Sequence, residues 1–209
     1  MSDSVERVAG LRDRLRTRAK NRPIDPRVAA AVAKRGGRPM LFQFEPAWAL
    51  EPWTSGGYPV GFLERAYVTL GVTDPARVLH MCSGGVGVGI TVDIRPEVKP
   101  TIVADARHIP LPDESIDWIM ADPPYAETYA EMLYGTGSVY PRPTHLLKEA
   151  ARLLKPGGRV GLLHYIVPLP DRNRIPRLDL ERVYGVWCGM ATAIRAWSVW
   201  QKQQDGHGL

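Results

Sequence analysis

The apolar run Ile116-Asp117-Trp118-Ile119-Met120-Ala121 leads straight into Asp122-Pro123-Pro124-Tyr125. The run reads as a short buried strand. Two successive prolines cannot continue a strand, so the tetrapeptide must be a rigid loop at the strand's carboxyl end. In open α/β sheets ligands bind at that end. The loop offers a carboxylate, backbone carbonyls that no ladder consumes, and a flat aromatic ring. Together these suit a planar substrate with an NH2 group: Asp122 and a proline-flanked carbonyl accept its hydrogens while Tyr125 stacks on the ring. An Asp-Pro turn ending a strand is the plainer alternative.

Three more segments read as strands, and acidic residues recur at their ends. Arg77-Val78-Leu79-His80-Met81 is a buried strand, followed by the glycine-rich Cys82-Ser83-Gly84-Gly85-Val86-Gly87-Val88-Gly89. Glycines after a first strand let backbone N–H groups approach a ligand without a Cβ in the way. Thr91-Val92-Asp93 ends in a carboxylate placed to accept both hydroxyls of a ribose. Ile102-Val103-Ala104 leads into Asp105. If Asp93, Asp105 and Asp122 are to lie at one end of a sheet, all three strands must be parallel.

Parallel strands need a crossover, usually a helix of about a dozen residues. Between Gly84 and Thr91 only Gly85 to Ile90 remain. A bare extended segment of that length spans roughly 20 Å or more, enough to cross beside a five-residue strand of about 17 Å. A Gly-Gly hairpin would instead put Asp93 at the wrong end. The expectation is a bare crossover, with a second short one over Ile94–Thr101 and a cofactor pocket shallow on that side.

D-P-P-Y after a strand resembles the catalytic motif of amino-group methyltransferases that use S-adenosyl-L-methionine (AdoMet), above all the DNA adenine N6-methyltransferases. Tyr58-Pro59-Val60-Gly61-Phe62-Leu63-Glu64-Arg65 resembles the segment before their AdoMet loop. Ala104 to Pro112 looks like their D-A-x-x-L-P stretch. Leu153-Leu154-Lys155-Pro156-Gly157-Gly158-Arg159-Val160 resembles the post-catalytic segment of class I methyltransferases generally.

The resemblance covers about residues 56–202 and implies an α/β fold of the class I, Rossmann-like type, a mostly parallel sheet closed by an antiparallel C-terminal hairpin. It implies catalytic roles for Asp122, Pro123, Pro124 and Tyr125. It implies AdoMet contacts from Met81, Cys82, Ser83, Gly84 and Gly85, with Asp93 on the ribose and Asp105, Ala106 and Arg107 by the adenine. The usual first crossover helix and a large target-recognition domain are lacking. The implied substrate is adenine in DNA, with an RNA base or a small-molecule amine as alternatives and a non-catalytic binding fold as a fourth.

The 209 residues suffice for one domain with an extension. The domain is placed at 59–203, with residues 1–58 a basic helical arm and aromatic loop, and 204–209 a tail. Residues 203–209 are expected to fray. The formal charge is +5. Residues 1–38 carry 11 Lys and Arg against 4 Asp and Glu, so the body is nearly neutral and the arm is basic. Such an arm can track phosphates, which makes nucleic acid, DNA before RNA, the expected partner; it can equally be a solvated helical face.

Helices are expected over 3–20 and from Asp25-Pro26 to Lys34. Residues 38–58 read as irregular, with Phe42, Phe44, Trp48, Trp53 and Tyr58 docking the loop on the core rather than stacking bases. Later helices are placed at 59–70, 126–134 and 144–154, and later strands at 159–165, 180–186 and 194–201. Arg172, Arg174 and Arg177 lie on a polar loop that could touch phosphate.

No apolar run approaches the ~20 residues of a membrane span, and the N-terminus is too charged for a secretory signal. Two cysteines, Cys82 and Cys188, exclude a disulfide framework, and no His/Cys/Asp spacing suggests a metal. A reducing cytoplasm is the expected compartment. His80 and His164 read as core histidines bonded to backbone, His164 on the ligand side.

Overall fold

The computed structural model describes residues 43–49, 58–135, 140–171, 173–187 and 194–204. The expected N-terminal helices, Phe42, Trp53, Arg172, Cys188 and the turn around Gly189 lie outside the described residues, as do 136–139 and 205–209.

The strands are β1 (Gln43–Ala49), β2 (Val78–Met81), β3 (Ile90–Asp93), β4 (Ile102–Val103), β5 (Ile116–Ala121), β6 (Leu154–His164), β7 (Leu178–Trp187) and β8 (Arg195–Lys202). They form one sheet in the order β1-β7-β8-β6-β5-β2-β3-β4. The β3, β4 and β6 neighbours of β2, β3 and β5 all run parallel, as does β5 beside β2. β8 is antiparallel to both β6 and β7. This is the expected α/β sheet with its antiparallel C-terminal pair.

The bare crossover is real. β2 and β3 are parallel, with Leu79 opposite Ile90 and Met81 opposite Val92. The chain returns so close under β2 that a Cβ on Gly89 (φ +79°) would sit 2.4 Å from the Val78 carbonyl oxygen and 3.0 Å from the His80 ring. Only glycine fits there, whereas Gly87 has nothing within 4 Å. The crossover from β3 to β4 carries a single 3-10 turn, Pro96–Val98.

Side chains alternate across the strands, so the sheet has two cores. On one face α1 (Phe62–Leu70) packs Phe62, Ala66 and Leu70 against Val78, Met120, Leu163, Trp197 and Val199. Phe62, Ala66, Thr69 and Leu70 follow i, i+4, i+7, i+8 and make one helical stripe. Trp197 is fully buried, meets Phe62 edge-on at 5.0 Å and donates its indole N–H to Thr69 Oγ1 at 2.9 Å. A Cβ on Gly161 would lie 2.0 Å from that indole, so Gly161 makes room for it.

On the other face, after α2 (Glu127–Tyr134), α3 (Pro143–Leu153) packs Leu146, Leu147, Ala150 and Leu153 against Leu79, Ile119, Leu162 and Trp200. Buried Glu149 on α3 accepts the Ile109 N–H at 2.8 Å. Arg152 donates to the carbonyls of Ile109 and Leu111 at 2.8 and 2.9 Å. α3 thereby clamps the segment that feeds β5.

Three expectations need correction. Residues 43–49 are not irregular: they form β1, parallel to β7 at the sheet edge. Pro46 disguises the strand in sequence; the register shifts between Glu45 and Trp48, which an edge position tolerates. Lys155-Pro156-Gly157-Gly158 does not separate helix from strand. β6 already starts at Leu154, opposite Ile116, and the four residues bulge out before Arg159 pairs with Trp118. The Lys155 ammonium reaches back to Asp117 at 3.0 Å. Gln203 does not fray: its N–H donates to the Arg177 carbonyl at 2.9 Å.

Candidate active site

β2, β3, β4 and β5 end at one rim; Asp93 is the last residue of β3, and Cys82, Asp105 and Asp122 lie just beyond β2, β4 and β5. Charge relations agree with that convergence. The Cys82 thiol is pushed far up by burial and further by Asp93, Asp122 and Asp105. It is un-ionised and no nucleophile. Cys82 itself adopts a left-handed backbone (φ 55°), and Gly84 does the same (φ 52°). Such alternation turns the loop sharply away from β2. The Ser83 hydroxyl is buried and has no hydrogen-bond partner among the described residues, beside the glycine loop.

Asp93 and Asp105 are held alike. Asp93 is 5% exposed; it accepts the Arg95 N–H at 3.0 Å, the Arg95 Nε at 3.0 Å and the Gly84 N–H at 2.9 Å. Asp105 accepts the Arg107 N–H at 2.9 Å and the Arg107 Nε at 2.9 Å. Each Asp-x-Arg closes a side-chain turn two residues long. The Asp105 carboxyl is held below its usual value: burial raises it, and the Arg107 hydrogen bonds and charge more than offset that.

The Asp122 loop is built differently. Tyr125 donates its hydroxyl to Asp122 Oδ1 at 2.9 Å. Arg195, at the start of β8, donates Nη1 to the same Tyr125 oxygen at 2.7 Å, its guanidinium 5.8 Å from the ring centroid. Tyr165 and His164 meet the ring edge-on at 4.5 and 5.3 Å, and the Tyr140 hydroxyl donates to the Tyr125 carbonyl at 3.3 Å. Burial pushes the Asp122 carboxyl up to about 6, while the Tyr125 hydrogen bond and the Arg195 charge pull it back. Near pH 7 it is an anion at a dehydrated rim.

Of the residues singled out in the sequence, Cys82, Ser83, Gly84, Asp93, Asp105, Arg107, Asp122 and Tyr125 border this rim. Two do not offer side chains to it. Met81 is fully buried in the core beneath the sheet, and Ala106 packs against the same cluster. Both are apolar residues next to a polar turn, so the core claims them and only their backbone reaches the rim. Pro123 is buried, which fixes the loop. Tyr125 packs in an aromatic corner rather than standing free.

His164 is bonded to backbone as expected: its Nδ1 accepts the Ile166 N–H at 2.9 Å, which leaves the ring proton on Nε2. His80 is not. Both of its ring nitrogens are buried without partners among the described residues, and burial drives its pKa down to about 4, so it is neutral.

Sequence reading passed over Tyr58 and Arg195 as site residues. Tyr58 stacks on Phe62 at 5.2 Å, docking as expected. Its buried hydroxyl, unpartnered among the described residues, has its pKa raised by burial and by the Asp122 charge. Tyr-Pro at a helix start was its only signal. Arg195 had none, being one arginine at the head of a strand.

Residues 90–162 match a family described as "Methyltransferase domain". The match starts with β3 and ends in β6, so it contains Asp93, Asp105 and Asp122. Among solved structures, a chain of the complex between the Haloferax volcanii Trm112 methyltransferase activator and a methyltransferase is similar at TM-score 0.52 and 14% identity, covering 70% of this chain and 90% of that one. TrmN from Thermus thermophilus follows at 0.49 and 21%, covering 71% and 50%. A methyltransferase from Bacillus halodurans gives 0.46 and 14%, covering 68% and 97%. No curated protein matches the chain. The first of these structural likenesses is one of fold. With the matched span and the strand order together, the chain has the class I methyltransferase fold, and the matched domain type is one that uses S-adenosyl-L-methionine as its cofactor.

Proposed function

We propose that the chain transfers the methyl group of AdoMet to an exocyclic amino group, with adenine in DNA as the first substrate. The observation that carries this is the Asp122 carboxylate: it directly follows the central strand β5, is half-buried at the rim, and has Oδ1 occupied by Tyr125. That supports a one-sided acceptor, with Oδ2 as the oxygen for an amine hydrogen. The Pro123 carbonyl would accept the other hydrogen. Together they draw the amine's lone pair out of its ring and set it in line with the methyl donor.

AdoMet, when bound, supplies an electrophilic methyl on a sulfonium. The glycine loop 82–87 would border it, with Ser83 as a hydroxyl contact. Asp93 would take the ribose by exchanging Arg95's side chain for two hydroxyls, and Asp105 and Arg107 would flank the adenine. Ile94, a 39% exposed apolar residue beside Asp93, suits a base face. In this proposal the basic N-terminal arm within residues 1–58 reads the nucleic acid, while residues 43–49 add β1 to the sheet of the catalytic domain at 59–203. Among the described residues no helix is long and apolar enough to cross a membrane; the cytoplasm, where AdoMet and nucleic acid meet, is the proposed site of action.

Transfer of radiolabelled methyl from AdoMet to duplex DNA, single-stranded DNA and total RNA, run in parallel, tests this. Label in DNA, lost in Asp122→Ala and recovered as N6-methyladenine, is the expected result. Label confined to RNA moves the substrate to an RNA base. AdoMet binding without label in any polymer points to a small-molecule amine.

A further inference from the structure

Asp122 needs a fixed rotation and a negative charge, and its own loop supplies only part of each. Its carboxylate is half-buried, and the desolvation by itself favours the neutral acid. Among the described residues, Tyr58 before α1, Cys82 after β2 and Tyr125 in the loop stand within range of its charge, and all three are neutral hydroxyls or a thiol raised by burial. His80 and His164, the titratable groups against Tyr58 and Tyr125, are neutral too. The counter-charge comes from Arg195 on β8, 70 residues beyond Tyr125.

We propose that Arg195 is a positioning residue of this site: it holds Tyr125 by its hydroxyl and, through Tyr125, holds Asp122 in one orientation as an anion. Three features carry it. The donor chain is continuous, Arg195 Nη1 to Tyr125 Oη at 2.7 Å and Tyr125 Oη to Asp122 Oδ1 at 2.9 Å. The guanidinium also lies 5.8 Å from the centroid of the Tyr125 ring, so one planar cation grips both hydroxyl and ring, as an ammonium cannot. β8 is locked to β6 at Ala196–His164 and to β7 at Arg195–Val186, so the arginine is presented by a rigid strand. With its hydroxyl proton committed to Oδ1, Tyr125 keeps that oxygen from the substrate and leaves Oδ2 as the acceptor.

The catalytic part of this rests on the amine-transfer reading; the charge relation does not. Carboxyl 13C NMR of Asp-labelled protein, with Asp122→Asn to assign the signal, follows Asp122 without any methyl acceptor. The expected result is titration near 6 in the wild type, rising by about one unit in Arg195→Met and in Tyr125→Phe, with Arg195→Lys in between. In parallel, the acid limb of kcat moves up with it in Arg195→Met while AdoMet affinity holds. Asp122 titrating at the wild-type pH in both Arg195→Met and Tyr125→Phe overturns the proposal. Tyr125→Phe retains the ring, so a folding defect in the arginine variant does not hide the answer. If no amine is methylated, the reading of function fails while the titration still decides the role of Arg195.

Discussion

The carboxylates at the ligand rim are secured in two ways. Asp93 and Asp105 are each clipped by an arginine two residues on, through both its N–H and its guanidinium. Asp122 has no such clip: its hydrogen bond comes from Tyr125 and its counter-charge from Arg195 on another strand. The local clip is cheap in chain entropy, because the partners are already neighbours. It also consumes the lone pairs of the group it holds. The distant clip needs a folded sheet, but it leaves one carboxylate oxygen uncommitted by Tyr125. A group that only binds tolerates the first arrangement; a group that must engage a reacting amine is served by the second.

Replacing the carboxylates should separate the two kinds. Asp122→Asn should cost about 10²–10³-fold in transfer rate or more, with AdoMet binding kept, as measured by single-turnover transfer and calorimetry. Asp93→Asn should do the reverse, weakening AdoMet by about 1.5–3 kcal/mol, the worth of a charged hydrogen bond, while saturating cofactor restores most of the rate. Equal losses of binding in the two variants would erase the distinction.

The cofactor side can also be broken through its backbone. Gly89→Ala drives a methyl into the Val78 carbonyl at a left-handed position and should cost about 1–3 kcal/mol in chemical denaturation. Gly87→Ala meets open space and should stay within about 0.5 kcal/mol. If the two match, the bare crossover is not packed as described.

The smallest effect should be on stability against pH. The folded Asp122 pKa, about 6, lies above its unfolded value near 3.8. The native state therefore holds the proton more tightly, and stability falls as pH rises from about 4 through 6. Asp122→Asn should remove that fall, so the variant gains on the wild type between pH 4 and 7 in thermal melts. Asp105, whose folded pKa is lowered, works in the opposite sense and loses its contribution as pH falls through that lower value. A wild-type profile unchanged by Asp122→Asn would mean that the carboxylate is not desolvated enough to raise its pKa.

Much of this was legible along the chain. D-P-P-Y after an apolar run, the glycine loop and the spacing of Asp93, Asp105 and Asp122 determine a parallel sheet with its ligand rim, because proline, glycine and strand period act locally. The bare crossover followed from arithmetic on residue counts. Hidden were the features that depend on distant partners. β1 is a strand because β7 offers it an edge, despite Pro46. Lys155–Gly158 bulges because Asp117 holds the lysine. Met81 turns inward because the core beneath β2 claims it. The acidic residues of the rim are thus written in sequence; which oxygen of Asp122 is left uncommitted by Tyr125 is decided by β8 laying Arg195 against Tyr125 across the folded sheet.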